Sequence, residues 1–136
     1  MTETANLGLP FIEGGQAQKH VTHNEALKIL DAAIQIAVLD RTRTAPPPGP
    51  ANGQRHVVAV GASGAWAARD NAIASWQDGA WSYLAPHAGW CVWSLADDGM
   101  LAFDGAMWRA LGTPSLDSVA RLGINAVPDA GNLLSV

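Results

Sequence analysis

Charge is scarce in this chain. Asp, Glu, Lys and Arg make up 15% of its 136 residues while 49% are hydrophobic; a typical soluble domain carries about a quarter charged. So few charges cover the surface of a lone monomer poorly, and part of the apolar surface is expected to be buried against other chains. The basic residues number eight against twelve acidic ones, a net charge of -4, and they form no cluster. That excludes the electrostatic footprint of a nucleic-acid-binding domain. A single cysteine, Cys91, lies in an apolar stretch. It excludes a disulfide framework, and a reduced, buried thiol is the default reading. No apolar run approaches the roughly 18 residues that a bilayer span needs, so membrane insertion is not expected. The start, Met1-Thr-Glu-Thr-Ala-Asn6, lacks the basic and apolar regions of a secretion signal. The expectation is a chain made in the cytoplasm without a signal peptide.

What is present divides the sequence into three. Residues 1–19 read as an arm, apolar over Leu7 to Ile12 and polar over Gln16 to Lys19. With no partner in its own segment, the arm is expected to drape over a neighbouring subunit; the alternative is that it folds back on its own helix in a monomer. Residues 20–112 read as a helix followed by a small β domain. Residues 113–136 read as a linker-like tail leading toward a C-terminal module that is missing here; within it, 118–122 suits one helical turn and 132–136 a strand stub.

Thr22-His-Asn-Glu25 has the S/T-x-x-E form of a capping box and predicts a helix from about Asn24 to Ala37. Residues 37–40 either continue it or leave it extended. Leu27, Leu30 and Ile34 make one apolar stripe at helical spacing, and Ile29, Ala33 and Ile36 a second, offset one. A helix apolar over so wide an arc needs two partners. One is its own sheet domain; the other is expected to be the same helix in a sister chain. These six residues are the candidate oligomer interface.

Pro46 to Pro50 breaks the chain. Short strands and turns follow: 55–60, then 72–76 and 80–84 flanking Gln77-Asp78-Gly79, then 90–95, 100–103 and 107–111, with Asp98-Gly99 and Asp104-Gly105 between. Trp76-Gln-Asp-Gly-Ala-Trp81-Ser-Tyr-Leu84 is similar to Phe103-Asp-Gly-Ala-Met-Trp108-Arg-Ala-Leu111. The same hairpin is expected twice, with pseudo-symmetric aromatic packing. The fold class is α+β: an N-terminal helix packed on or beside a small, Trp-rich antiparallel meander or sandwich.

Chemistry-bearing patterns are thin. His20, His23 and Glu25 have loose metal-ligand spacing, but His20 precedes the predicted cap and no Cys or Asp stands nearby. Ser63 in Gly61-Ala-Ser-Gly-Ala65 misses the last Gly of a nucleophile elbow. Asp97-Asp98 are paired carboxylates, yet Asp98-Gly99 is turn chemistry. No catalytic, metal or cofactor site is expected, and the chain reads as no enzyme. Tryptophan is the exception: six, namely Trp66, Trp76, Trp81, Trp90, Trp93 and Trp108. Their faces suit stacking on sugar rings. The competing reading is buried area for a small β domain with few Phe and Tyr. Trp90 and Trp93 fall on opposite faces of one strand, so one is expected in the core and the other at the surface.

Gln16-Ala-Gln-Lys-His-Val-Thr-His-Asn-Glu-Ala-Leu27 resembles the opening motif of the DUF2793 family of phage-associated domains. Gly61 to Trp66, Ile73 to Pro86 and Gly89-Trp90 resemble its second half, so the likeness spans residues 9 to about 112. It implies a virion setting: a structural component of a prophage or gene transfer agent particle. On that basis the chain is an oligomeric base or anchoring domain of a head spike or tail fibre that supports host attachment. The implied partners are sister chains in a trimer or pentamer, capsid or tail proteins, and a fibre protein. The alternative is a module that itself binds capsular or surface polysaccharide.

Overall fold

A computed structural model describes residues 2–7, 9–12, 19–112, 122–123 and 134–135. One helix precedes a run of short strands. The order is α1 (Lys19–Ala33), β1 (Ala37–Val38), β2 (Arg55–Val57), a 3-10 turn (Gly64–Trp66), β3 (Ile73–Gln77), β4 (Ala80–Leu84), β5 (Cys91–Ser94), β6 (Gly99–Phe103) and β7 (Trp108–Leu111). Two further short strands, β8 (Leu122–Gly123) and β9 (Leu134–Ser135), pair in parallel. The α+β class read from the sequence is the class observed.

Apart from the β8–β9 pair, the strands form two sheets, as a sandwich rather than a single meander would have them. β2-β3-β4 is an antiparallel three-stranded sheet, and β1-β5-β6-β7 a four-stranded sheet that is antiparallel except at the β1–β5 edge. The chain leaving β1 crosses between them: Leu39 donates its N–H to the carbonyl of Arg55 at 2.8 Å, and Val57 donates to that of Asp40 at 3.0 Å. The main core draws on both sheets, with Val57 and Ile73 from one and Val38, Val92, Leu101, Phe103 and Trp108 from the other. Alternation in β5 follows from this: Val92 and Ser94 are buried, while Cys91 and Trp93 point out. Cys91 is therefore exposed and not buried. Its apolar neighbours mark a strand, but it falls on the outward half of the alternation.

The helix is displaced from its predicted bounds at both ends. Thr22 lies inside α1, so the capping box is not used. The helix begins three residues earlier, at Lys19, a good helix former. Glu25 pairs instead with Lys28, at 3.3 Å. At the other end Gln35 takes φ 50°, in the left-handed region that ends helices. Beyond it the β-branched Ile36 and Val38 enter the main core, and the carbonyls of Ile36 and Val38 each accept a β5-side N–H, from Trp93 and Leu95, at 2.9 Å. Burial and pairing outweigh the helical periodicity that runs through these positions.

The arm follows the alternative course open to it. It folds on its own helix. Thr4 and Leu9 close a small loop (Thr4 N–H to the Leu9 carbonyl, 3.0 Å), and Asn24 of α1 holds Ile12 through two hydrogen bonds. Its main anchor is Asp31, a fully buried carboxylate that accepts from Asn6 and Leu7. The buried Arg55 of β2 reaches the same turn of α1, donating to the carbonyl of Asp31 at 3.2 Å. In the tail, Leu122 opens a strand and does not end the expected helical turn, whose residues 118–121 lie outside the described residues. Within the stub expected at 132–136, Leu134–Ser135 form β9, and the other three residues lie outside the described ones.

Candidate functional site

Polar contacts tie α1 to the three-stranded sheet, among them Arg55 with the Asp31 carbonyl and Lys28 with Asp78. The face it turns inward holds the two helix residues that are buried, Asp31 and Ala32. Gln77 of β3 donates to the carbonyl of Lys28 at 3.2 Å. The consequence for the candidate interface is direct. Leu30 and Ile34, one turn apart on the stripe turned away from β4, stay 45% and 42% exposed, and Ile29 is 55% exposed. Leu27 and Ala33 are half-buried. Ile36 belongs to another environment: it lies beyond the helix, buried in the main core, and shares no face with Ile29 and Ala33.

The six tryptophans separate into three settings. Trp66 is fully buried in a second, smaller core with Val58 and Ala74. There it stacks edge-on against Trp81 at 5.2 Å, and Trp81 in turn against Trp76 at 5.1 Å. Trp108 is buried in the main core, 5.3 Å from Phe103, with its indole N–H donated to the carbonyl of Asn71 at 2.9 Å. Trp90 is half-buried against the same core. Only Trp93 of the six is exposed. Trp66 and Trp108 have no face free for a sugar ring; Trp93 has one.

Trp93 sits in a cross-strand row on the outer face of the four-stranded sheet, opposite Met100, which is opposite Leu111. A shallow groove of about 470 Å³ follows this row and ends at Asp97 and Asp98. Asp97 is already engaged: Arg41 donates to it at 3.1 Å and the Ser94 hydroxyl at 2.6 Å. The Arg41 guanidinium and then that hydroxyl hold its carboxyl below the usual range. Asp98 takes φ 49° in the turn between β5 and β6. The two carboxylates thus serve separate local roles and do not converge on one point.

A buried histidine paired with a half-buried carboxylate escaped the reading of the sequence. His56 of β2 places Nδ1 2.9 Å from Asp40, and its ring lies against Trp66 at 5.4 Å and Trp81 at 6.0 Å. Its Nε2 has no hydrogen-bond partner among the described residues. An acid–imidazole couple of this kind activates a nucleophile only if one lies beyond Nε2. The nearest buried hydroxyl in the sheet, Ser75, stands opposite Arg55, whereas Ala74 stands opposite His56. Ser75 therefore projects from the other face of the sheet, toward the helix side. A polar pair spread over 16 residues of unrelated pattern leaves no periodic trace, and that is why the sequence did not reveal it. His20 and His23 now lie together on α1, and among the described residues no three His, Cys, Asp or Glu side chains converge. Ser63 precedes a three-residue 3-10 turn.

A family model described as "Protein of unknown function (DUF2793)" matches residues 23–109, from the first turns of α1 to β7. No curated protein matches the chain.

Proposed function

The chain belongs to the DUF2793 family, and on that premise we propose that it is a structural component of a phage-like particle: an oligomeric anchoring domain of a head spike or tail fibre, with no catalytic role. The observation that carries the reading is the apolar stripe of α1. Leu30 and Ile34, the latter just past the end of α1 and bonded through its N–H to the Leu30 carbonyl, lie one turn apart and exposed. Exposed aliphatic area costs about 25 cal/mol per Å² in water, and a sister helix removes that cost. Identical chains usually close around a symmetry axis, which suits a trimer or a pentamer. Sister chains are the first partners, and capsid or tail proteins the next.

Light scattering on the chain at micromolar concentration tests the association. A mass several times 14.2 kDa is expected; a clean monomer mass overturns it. Mass spectrometry of particles purified from a producing strain tests the setting, with the chain expected among the structural proteins.

One observation favours a second reading, a carbohydrate-binding module. Trp93 offers an open indole face beside the carboxylate of Asp98, and aromatic faces with nearby acceptors suit sugar rings. A glycan array with the unmutated chain and with Trp93→Ala separates the two readings.

A further inference from the structure

A groove of about 340 Å³ runs between α1 and β4. Its helix wall is Glu25, Lys28, Ile29 and Ala32, spaced i, i+3, i+4, i+7 along one face. Its other wall is β4, an end strand of the three-stranded sheet. A sheet edge presents backbone donors and acceptors in a fixed ladder, and β3 determines which ones. Trp76 sends its N–H to the carbonyl of Gln54 at 2.9 Å and accepts from the N–H of Gly53 at 2.7 Å, both on the side away from β4. Opposed residues in an antiparallel pair alternate between exchanging hydrogen bonds and not exchanging them. Trp76 stands opposite Trp81 and Ala74 opposite Tyr83, so these are the non-exchanging pairs. The backbone N–H and C=O of Trp81 and Tyr83 therefore point outward, at the groove both residues line. Among the described residues neither has a backbone partner there.

We propose that this groove binds an extended segment of a partner protein as an additional strand on β4. Two donor–acceptor sets two residues apart, about 6.7 Å along a strand, match another extended backbone and little else. The five residues of β4 span about 17 Å, room for about five residues of partner. Side chains of the added strand alternate. The set facing α1 meets Ile29, Ala32 and Leu84 and is apolar. At one end two carboxylates, Glu25 and Asp78, share the single ammonium of Lys28, at 3.3 and 2.6 Å, which leaves one negative charge in excess. The partner segment therefore carries Lys or Arg at that end. A second copy of β4 is a poor occupant: Ala80 to Leu84 has no charged residue, and the turn before it carries an acid, Asp78. The site is independent of the self-association proposed above, because Leu30 and Ile34 lie on the opposite side of the helix.

The probe is a displayed library of random dodecapeptides, selected on the full chain and followed by amide hydrogen exchange with the recovered peptides. Recovered sequences are expected to alternate apolar residues next to a Lys or Arg. At saturation they slow exchange of the Trp81 and Tyr83 amides at least tenfold. Ile29→Glu, an exposed position, weakens them at least tenfold, and Glu25→Lys shifts the selected charge from basic to acidic. Leu30→Glu leaves binding unchanged. The proposal is overturned if no sequence is enriched, if the peptides protect other amides, or if Trp81 and Tyr83 are already protected in a self-associated free chain.

Discussion

Leu7 donates its backbone N–H to Oδ1 of Asp31 at 2.6 Å, and Asn6 adds its own N–H and its side-chain amide to the same carboxylate. A single buried acid on α1 thus collects the turn of the arm. Burial alone pushes its pKa up; the hydrogen bonds from Thr4, Leu7 and Asn6 together outweigh that and leave it lowered. The charge also faces the buried Arg55, whose own pKa burial lowers and Asp31 partly restores.

Asp31→Ala is expected to release the arm while leaving both sheets folded. Losing several charge-assisted hydrogen bonds costs about 2–3 kcal/mol. Limited proteolysis should cut within residues 2–12 much faster in the variant. An uncut arm would show that Thr4 and Asn24 suffice to hold it.

Acid should weaken the fold in a defined window. Asp104 is held down to about 2, first by the N–H groups of Met107 and Ala106 and then by Arg109. A carboxylate with a lowered folded pKa contributes stability above its unfolded value, about 3.9, and loses it as pH falls through the folded value. The contribution of Asp104 is therefore complete at neutral pH and fades between about pH 4 and pH 2. Asp104→Asn should melt below the unmutated chain at pH 7, and the gap should narrow toward pH 2. A gap independent of pH would overturn this assignment.

Gly79 and Gly105 take φ 76° and 102°. A Cβ at Gly79 meets nothing within 4 Å, and at Gly105 it meets only Ala88 at an ordinary 3.6 Å. Any penalty is thus conformational. Valine at either position should cost about 1–2 kcal/mol, read as a fall in melting temperature of several degrees. Unchanged melting in both variants would show that the turns relax freely.

Two isoleucines in adjacent stretches should respond in opposite ways to the same change. Ile34 is exposed, and Ile34→Glu is expected to keep the native circular dichroism while reducing the associated mass. Ile36 is in the main core. Ile36→Glu buries a charge without a partner and should unfold the chain, a loss of several kcal/mol. Equal behaviour of the two variants would refute the split between interface and core.

The parts of the fold legible in the sequence are those carried by local chemistry. Asp78-Gly79 marked a hairpin, and Asp78 and Gly79 do form its two-residue turn, both with φ > 0. The paired motif was also legible, with a refinement. Trp76 stands directly opposite Trp81 and Phe103 opposite Trp108, although the first hairpin closes in two residues beyond Gln77 and Ala80 and the second loops from Asp104 to Met107. The five-residue aromatic spacing is what the two share. What stayed hidden depends on distant partners. Ile36 and Val38 continue a helical pattern, and only β5 draws them into a sheet. Asp31 reads as a solvated helix residue until the arm returns to it. The pairing of His56 with Asp40 follows from the crossing of one sheet to the other.

The parallel edge has a kinetic consequence. Ala37 meets Trp93, and Arg41 meets Asp97, across 56 residues of chain. Hairpins such as β3–β4 and β6–β7 close over a few residues and can form as soon as they are synthesised, whereas β1 has no mate until β5 exists. On a ribosome the N-terminal third would thus emerge first and complete its pairing, at β1, only once β5 has followed. Its exposed aliphatic stripe stays available to another nascent copy throughout that wait. Assembly between neighbouring chains would therefore compete with completion of each chain's own sheet, and slowing translation between residues 40 and 90 should favour the former.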